Sequence, residues 1–233
     1  MCIVCAGSGR RRFLSTAGLA VAGLALGASR ARADAAALTP DEALERLKRG
    51  NARYVSDAQV CESDLEARRH AVAASQAPWA SILSCADSRV PPELLFGGLG
   101  VGELFVARNA GNLVDTDVLG TMEYGAEHLH SPLILVMGHQ RCGAVAAACD
   151  VVTKQAKFPG SIGQMIAPIV PIAQSTQAMP GDFVTNTVHE NCRNSAKVLT
   201  ERSEILTELV HEAKIKIVTA YYELDTGKVE FLG

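Results

Sequence analysis

Two short polar clusters, each set directly behind a run of apolar residues, constrain the fold of this chain more than any other feature. Cys85-Ala86-Asp87-Ser88-Arg89 follows the run 79–84, and His139-Gln140-Arg141-Cys142-Gly143 follows the run 133–137. Runs this short and this apolar read as strands buried on both faces. Buried strands joined through helical stretches form the crossover units of a parallel sheet. Parallel strands all point the same way, so both clusters are expected at the carboxyl edge of one sheet, where open α/β folds hold their ligands.

The rest of the pattern agrees. Further strands are predicted over 104–107 and 215–220, and helical spacing covers 115–129, 143–152 and 203–213. Thr39-Pro40-Asp41-Glu42 is a capping box with proline at the first helical position, and Ala43, Leu44, Leu47, Asn51 and Tyr54 follow at helical spacing. A second helix is expected over 62–74. A turn at Asp225-Thr226-Gly227 should add 228–232 as an antiparallel edge. The expected fold is α/β, a mostly parallel four-stranded sheet with an antiparallel edge strand, flanked by helices, in one domain over residues 34–233. The glycine-rich 97–102 precedes a strand instead of opening a helix, so a tight turn is expected there and not a phosphate loop.

Residues 1–33 have a different character. They hold Arg10, Arg11, Arg12, Arg30 and Arg32 with no acid, an apolar stretch over 17–28 and an Ala31-Arg32-Ala33 triplet. This is the layout of a cleaved signal peptide, and the apolar stretch is short of the ~20 residues that span a membrane. Arg10-Arg11-Arg12-Phe13-Leu14 resembles a twin-arginine export signal, which carries folded proteins to the periplasm. Folding around metal before export would keep thiol ligands out of wrong disulfides. Losing five of the 22 basic residues against 25 acidic ones leaves a net charge of about −8. An acidic domain without a basic stripe excludes nucleic acid and, once the signal is gone, an anionic membrane surface as partners. The substrate is expected to be small.

Thiolate, imidazole and carboxylate are the donors Zn²⁺ prefers, and Cys85, Asp87, His139 and Cys142 would make a tetrahedral set. A lone cysteine is ordinarily a small buried hydrophobe, and a histidine at a strand end is ordinarily a hydrogen-bonded core residue. Two such clusters, each behind its own strand, outweigh that reading. Cys2 and Cys5 lie in the signal, so Cys61, Cys149 and Cys192 remain. Buried thiols are the default for Cys149 and Cys192, with a disulfide among the three left open. His70, His128, His130, His189 and His211 have no partner spacing and read as structural or surface residues.

The two clusters, with Ser88-Arg89-Val90-Pro91-Pro92-Glu93, the stretch 102–112 and the stretch 221–227, resemble the β-class carbonic anhydrases over residues 40–233. In that family a Cys-x-Asp-x-Arg element and a His-x-x-Cys element supply the metal ligands. The resemblance implies zinc as cofactor, carbon dioxide and bicarbonate as substrate and product, and a homodimer or homotetramer. A structural zinc is closed by four protein ligands, whereas a catalytic one keeps a position for water. Arg89 decides between them in principle, because a guanidinium can hold the Asp87 carboxylate through two parallel hydrogen bonds and keep it off the metal. The family occurs in both arrangements. In the open one, hydroxide made available by zinc near neutral pH attacks carbon dioxide, with Asp87, freed by Arg89, orienting it. Gly143 could bring its N–H close to developing oxygen charge. Phe105, Tyr124 and Leu129 are weaker candidates for an apolar pocket, with core packing the first reading. Two alternatives stay open: hydrolysis of carbon disulfide or carbonyl sulfide on the same fold, and a non-catalytic protein with a structural Cys₂-His-Asp zinc.

Overall fold

The computed structural model describes residues 38–57 and 65–232. The export signal read in 1–33, and with it Cys2, Cys5 and Cys61, lie outside the described residues. Helix α1 (Pro40–Ser56) starts as the sequence predicts: the Glu42 amide donates to Thr39 Oγ1 at 3.3 Å, and the Thr39 amide donates to the Glu42 carboxylate at 2.8 Å. Two otherwise orphaned donors are thereby satisfied. Helix α2 (Leu65–Val72) falls within the expected 62–74 span.

Five strands form one sheet in the order β2-β1-β3-β4-β5: β1 (Ala80–Cys85), β2 (Leu104–Asn109), β3 (Leu133–His139), β4 (Lys216–Tyr222) and β5 (Val229–Leu232). The first four run parallel and β5 is antiparallel to β4, the expected architecture. The ladders run further than the apolar runs imply. Cys85 pairs with Asn109 and His139 with Tyr222, so both candidate ligands are the last residues of strands and not the first residues of loops.

Seven more helices cover the sheet or cap its ends: α3 (Pro92–Leu95), α4 (Thr116–Glu127), α5 (Gly143–Lys154), α6 (Ser161–Ile166), α7 (Val170–Thr176), α8 (Phe183–Arg202) and α9 (Glu204–His211). Alternate residues of each strand enter opposite cores. Leu83, Ile134 and Val136 pack with Met122, Val145, Val188 and Leu206 from α4, α5, α8 and α9. Ile82, Leu135 and Met137 pack with Leu47 of α1, Leu95 of α3 and the adjacent Phe96. No helix among the described residues is long and apolar enough to cross a membrane.

Of α8 only the helical placement of Cys192 is expected from sequence, and α6 and α7 carry no expectation. Pro168 and Pro171 break the apolar period there, yet each occupies one of the first positions of its helical turn, where the missing N–H costs nothing. Helix α8 is polar along much of its length and is started by Asp182, whose carboxylate accepts from the Thr185 amide at 2.8 Å. Cys149 and Cys192 are buried free thiols on α5 and α8, as expected. Burial pushes the Cys192 thiol up to about 12.

Gly138 lets α8 lie directly on β3. A Cβ there would stand 2.6 Å from both Cys192 Sγ and Val188 Cγ1. Gly138→Ala is therefore expected to lower the unfolding free energy by about 1–3 kcal/mol through overpacking, measured by urea titration. An unchanged midpoint would show that α8 yields without cost.

Candidate metal centre

Parallel pairing of β1 with β3 brings the ends of both strands, Cys85 and His139, to the carboxyl edge of the sheet. The chain then turns through Gln140 and Arg141 and returns Cys142 as the N-cap of α5. Cys85, His139 and Cys142 are all buried, and their donor atoms lie within 4.8 Å of one another. The two sulfurs are 3.9 Å apart. Sulfurs bound at ~2.3 Å with a tetrahedral angle between them stand roughly 3.8 Å apart, so the pair already has the spacing a zinc ion requires.

The donor chemistry fits equally well. Each thiol acts on its partner: the Cys142 hydrogen bond holds the Cys85 thiol well below its ordinary range, and the second ionisation is pushed up by the first. Two sulfurs sharing one proton in a buried site are poised to exchange that proton for a cation. Amides of Ala144 and Val145 at the start of α5 favour the ionised form of Cys142. The Gly111 amide donates to Cys85 Sγ at 3.4 Å. His139 Nδ1 is 2.9 Å from the Gln140 carbonyl, a contact that requires the proton on Nδ1 and leaves the lone pair on Nε2. That Nε2 is buried and has no hydrogen-bond partner. An orphaned acceptor facing two thiols is costly to bury unless a cation takes the lone pair.

Asp87, the fourth residue of the expected set, is beside this cluster but turned away from it. Arg89 donates from Nε to Asp87 Oδ1 at 2.9 Å and from Nη2 to Oδ2 at 2.7 Å, and its amide donates to Oδ1 at 3.0 Å. These bonds hold the Asp87 carboxyl well below the usual carboxylate range. Oδ2 remains 3.9 Å from His139 Nε2. Three donors therefore converge, and the carboxylate stands next to them.

The resemblance implies that the segment with Asn109, Gly111 and Asn112 lies near the site, as the Gly111 amide on Cys85 bears out, whereas the side chains that hold it carry no signal in the sequence. Arg108, at the end of β2, donates to the Cys85 carbonyl at 2.9 Å and to the Asp87 carbonyl at 2.6 Å, tying the first cluster to the neighbouring strand. The 109–113 turn is held by Asn109, whose side chain both accepts from the Leu113 amide and donates to its carbonyl at 2.8 Å. Helix α8 secures the same turn: Asn191 donates to the Gly111 carbonyl at 2.8 Å and Ser195 to the Asn112 carbonyl at 2.9 Å. Gly111 has φ +86°, and a Cβ there would meet Ile169 at 2.9 Å, so its amide reaches Cys85 only because it is glycine. A side chain at Gly143 would instead meet nothing within 4 Å, which leaves room beside Cys142. Phe105 and Tyr124 stack at 6.1 Å, but Phe105 pairs with Ser81, four residues before Cys85 and roughly 13 Å down the strand. That aromatic pair is not brought to the centre.

Arg108→Met keeps the side chain's apolar stem and removes both donors. It is expected to destabilise the protein by about 2 kcal/mol in urea titration, because two carbonyls lose a charged partner. No change would mean water replaces the guanidinium freely.

The comparisons with known proteins agree with this geometry. A family model described as carbonic anhydrase matches residues 80–229. "Carbonic anhydrase 2" of Mycobacterium tuberculosis is 36% identical over 194 residues, covering 81% of this chain and 91% of the relative. The carbonic anhydrase of Mycolicibacterium smegmatis is 32% identical over 191 residues, covering 82% and 92%. Among solved structures, the Coccomyxa β-carbonic anhydrase in complex with acetazolamide is 27% identical with a TM-score of 0.62, over 81% of this chain and 86% of that one. A tetrameric β-carbonic anhydrase of Sordaria macrospora shares the fold at 23% identity and a TM-score of 0.62, over 72% and 90%. Matched by the family model over more than half its length and by relatives more than 30% identical across four-fifths of it, this chain belongs to the carbonic anhydrases and has their β-class fold.

Proposed function

We propose that this enzyme interconverts carbon dioxide and bicarbonate with zinc held by Cys85, His139 and Cys142, and that Asp87 acts from beside the metal. The observation that carries the reading is the double hydrogen bond from Arg89 to Asp87, which occupies the carboxylate that would otherwise close the site. When bound, zinc lowers the pKa of water from 15.7 to roughly 7 and so supplies hydroxide near neutral pH.

The chain's own residues do the rest. Arg89 keeps Asp87 ionised through the neutral range, so the carboxylate can accept a proton-bearing partner but not donate to it. A carboxylate oxygen has lone pairs beyond those Arg89 uses, and one of them can orient a hydroxyl group towards substrate carbon. Arg108 fixes the backbone on both sides of Ala86, so Cys85 and Asp87 move together. The open space at Gly143 gives a small linear substrate room to approach next to Cys142. Two thiolates donate more electron density than three imidazoles would, which should move the optimum to the alkaline side. A closed structural zinc is disfavoured by the same pairing, since holding Asp87 away from the metal serves no staple.

The assembly and export readings are ours as well. Among the described residues strand β2 ends the sheet with an unpaired edge beside exposed Val101, which supports a homodimer or homotetramer and should appear as at least twice the chain mass in light scattering. Residues 1–33 are proposed to send the folded, zinc-loaded enzyme to the periplasm by the twin-arginine route. Replacing Arg11 and Arg12 by Lys should leave the enzyme in the cytoplasm, and unaffected export would count against that route.

Stopped-flow hydration should be fast, rise with pH between pH 6.5 and 9, and vanish on chelation. Asp87→Ala should lower kcat by about 10²-fold or more while zinc stays bound, as expected for a lost proton acceptor. Full activity in that variant would sink the role given to Asp87. Cys142→Ala should bind well under one zinc per chain by elemental analysis, and stoichiometric zinc in it would remove Cys142 from the ligand set.

A further inference from the structure

Gln140 and Arg141 stand between the two ligands of the second cluster, and both reach out of the site to one distant carboxylate. Arg141 donates from Nη2 to Asp225 Oδ1 at 2.7 Å and from Nη1 to Oδ2 at 2.9 Å. Gln140 donates from Nε2 to Asp225 Oδ2 at 3.0 Å, and its Oε1 accepts from the Asp225 amide at 3.2 Å. Asp225 lies in the turn between β4 and β5, 85 residues along the chain from Gln140.

We propose that Asp225 is a positioning residue for the metal centre: through Gln140 and Arg141 it holds the turn that aims His139 Nε2 and Cys142 Sγ at one point. The proposal rests on reading Cys85, His139 and Cys142 as the zinc ligands. Gln140 is pinned in three places. Its amide donates to the Tyr222 carbonyl at 2.8 Å, its side chain is clasped by Asp225, and its carbonyl accepts from His139 Nδ1 at 2.9 Å. Rotating the peptide after Gln140 would carry that carbonyl off the imidazole and release the ring. Arg141, the next residue, has φ +55°, a left-handed conformation that a residue with a side chain adopts only at a cost. The bidentate bond to Asp225 holds it there.

An isolated exposed ion pair contributes little, and Arg141 and Asp225 are both more than half exposed. This one differs by its geometry, because one carboxylate fastens two consecutive residues that lie between two ligands. Nor does the hairpin need Asp225 to hold itself in place. Asn51 of α1 donates to the Gly227 carbonyl at 2.9 Å and accepts from the Val229 amide at 2.9 Å, which anchors the turn independently.

The test compares full-length zinc-loaded protein with Asp225→Ala, Asp225→Asn and, as a control, Thr226→Ala. Among the described residues Thr226 bonds only within the turn, to Glu223 and to the Lys228 amide. Zinc affinity is read by chelator competition, and ligand geometry by the visible absorption of the Co²⁺ form. Loss of a partner behind the ligands should weaken zinc binding about 10–100-fold in Asp225→Ala, less in Asp225→Asn, and by no more than about twofold in Thr226→Ala. The cobalt bands should shift in the Asp225 variants alone. Wild-type affinity and superimposable cobalt spectra in both Asp225 variants would overturn the proposal, as would an equal loss in Thr226→Ala. Wild-type protein that takes up no zinc would overturn the reading of the site and this proposal with it, whereas a zinc-binding wild type with insensitive Asp225 variants would overturn this proposal alone.

Discussion

Strands β1 and β3 are hydrogen-bonded in parallel, with Ser84 opposite Met137, and the Cys85, His139 and Cys142 cluster depends on that register. It carries Cys85 and His139 to the same carboxyl edge on neighbouring strands, His139 one step beyond the residue level with Cys85, and the turn after His139 then has only to bring Cys142 back. A slip of one residue would send each side chain to the opposite face. Both strands are buried along their whole length, so their ends at the carboxyl edge are kept dry.

Around that register the chain spends polar side chains on the framework and not on the candidate ligands themselves. Arg108 holds two carbonyls of the first cluster, Asn191 and Ser195 hold the 109–113 turn, and Asp225 clasps the second cluster. The bonds from Arg108, Asn191 and Ser195 each satisfy a carbonyl that irregular chain would otherwise leave unpaired. The result is that the ligand atoms are pre-placed, which a metal centre needs if binding is not to include ordering three loops.

The candidate ligands stand out in the sequence because both motifs are local. Cys85, Asp87 and Arg89 lie within five residues, and His139 and Cys142 within four, each marked by the apolar run before it. The strands were legible as continuous apolar runs, and α1 by its capping box. The shell was not. Arg108 looks like an ordinary polar residue ending a strand, and the groups it holds lie 21 and 23 residues away. Asn191 and Ser195 meet partners 80 and 83 residues distant, and their helix α8 is disguised by the same polar residues that do this work. Tertiary contacts of that span leave no periodic trace. The Asp87 position shows the boundary most sharply. Its spacing to Arg89 permits a hydrogen-bonded pair and equally permits a fourth ligand, and only the folded geometry chooses the pair.

An open or a closed site follows from that choice, so the measurement that tests it most directly is a crystal structure of the zinc-loaded enzyme at neutral pH. It should show zinc on Cys85, His139 and Cys142, with a non-protein oxygen in the fourth position and both Asp87 oxygens still on Arg89. An Asp87 oxygen at about 2.1 Å from zinc, with Arg89 displaced, would contradict the account and make the closed site the resting state.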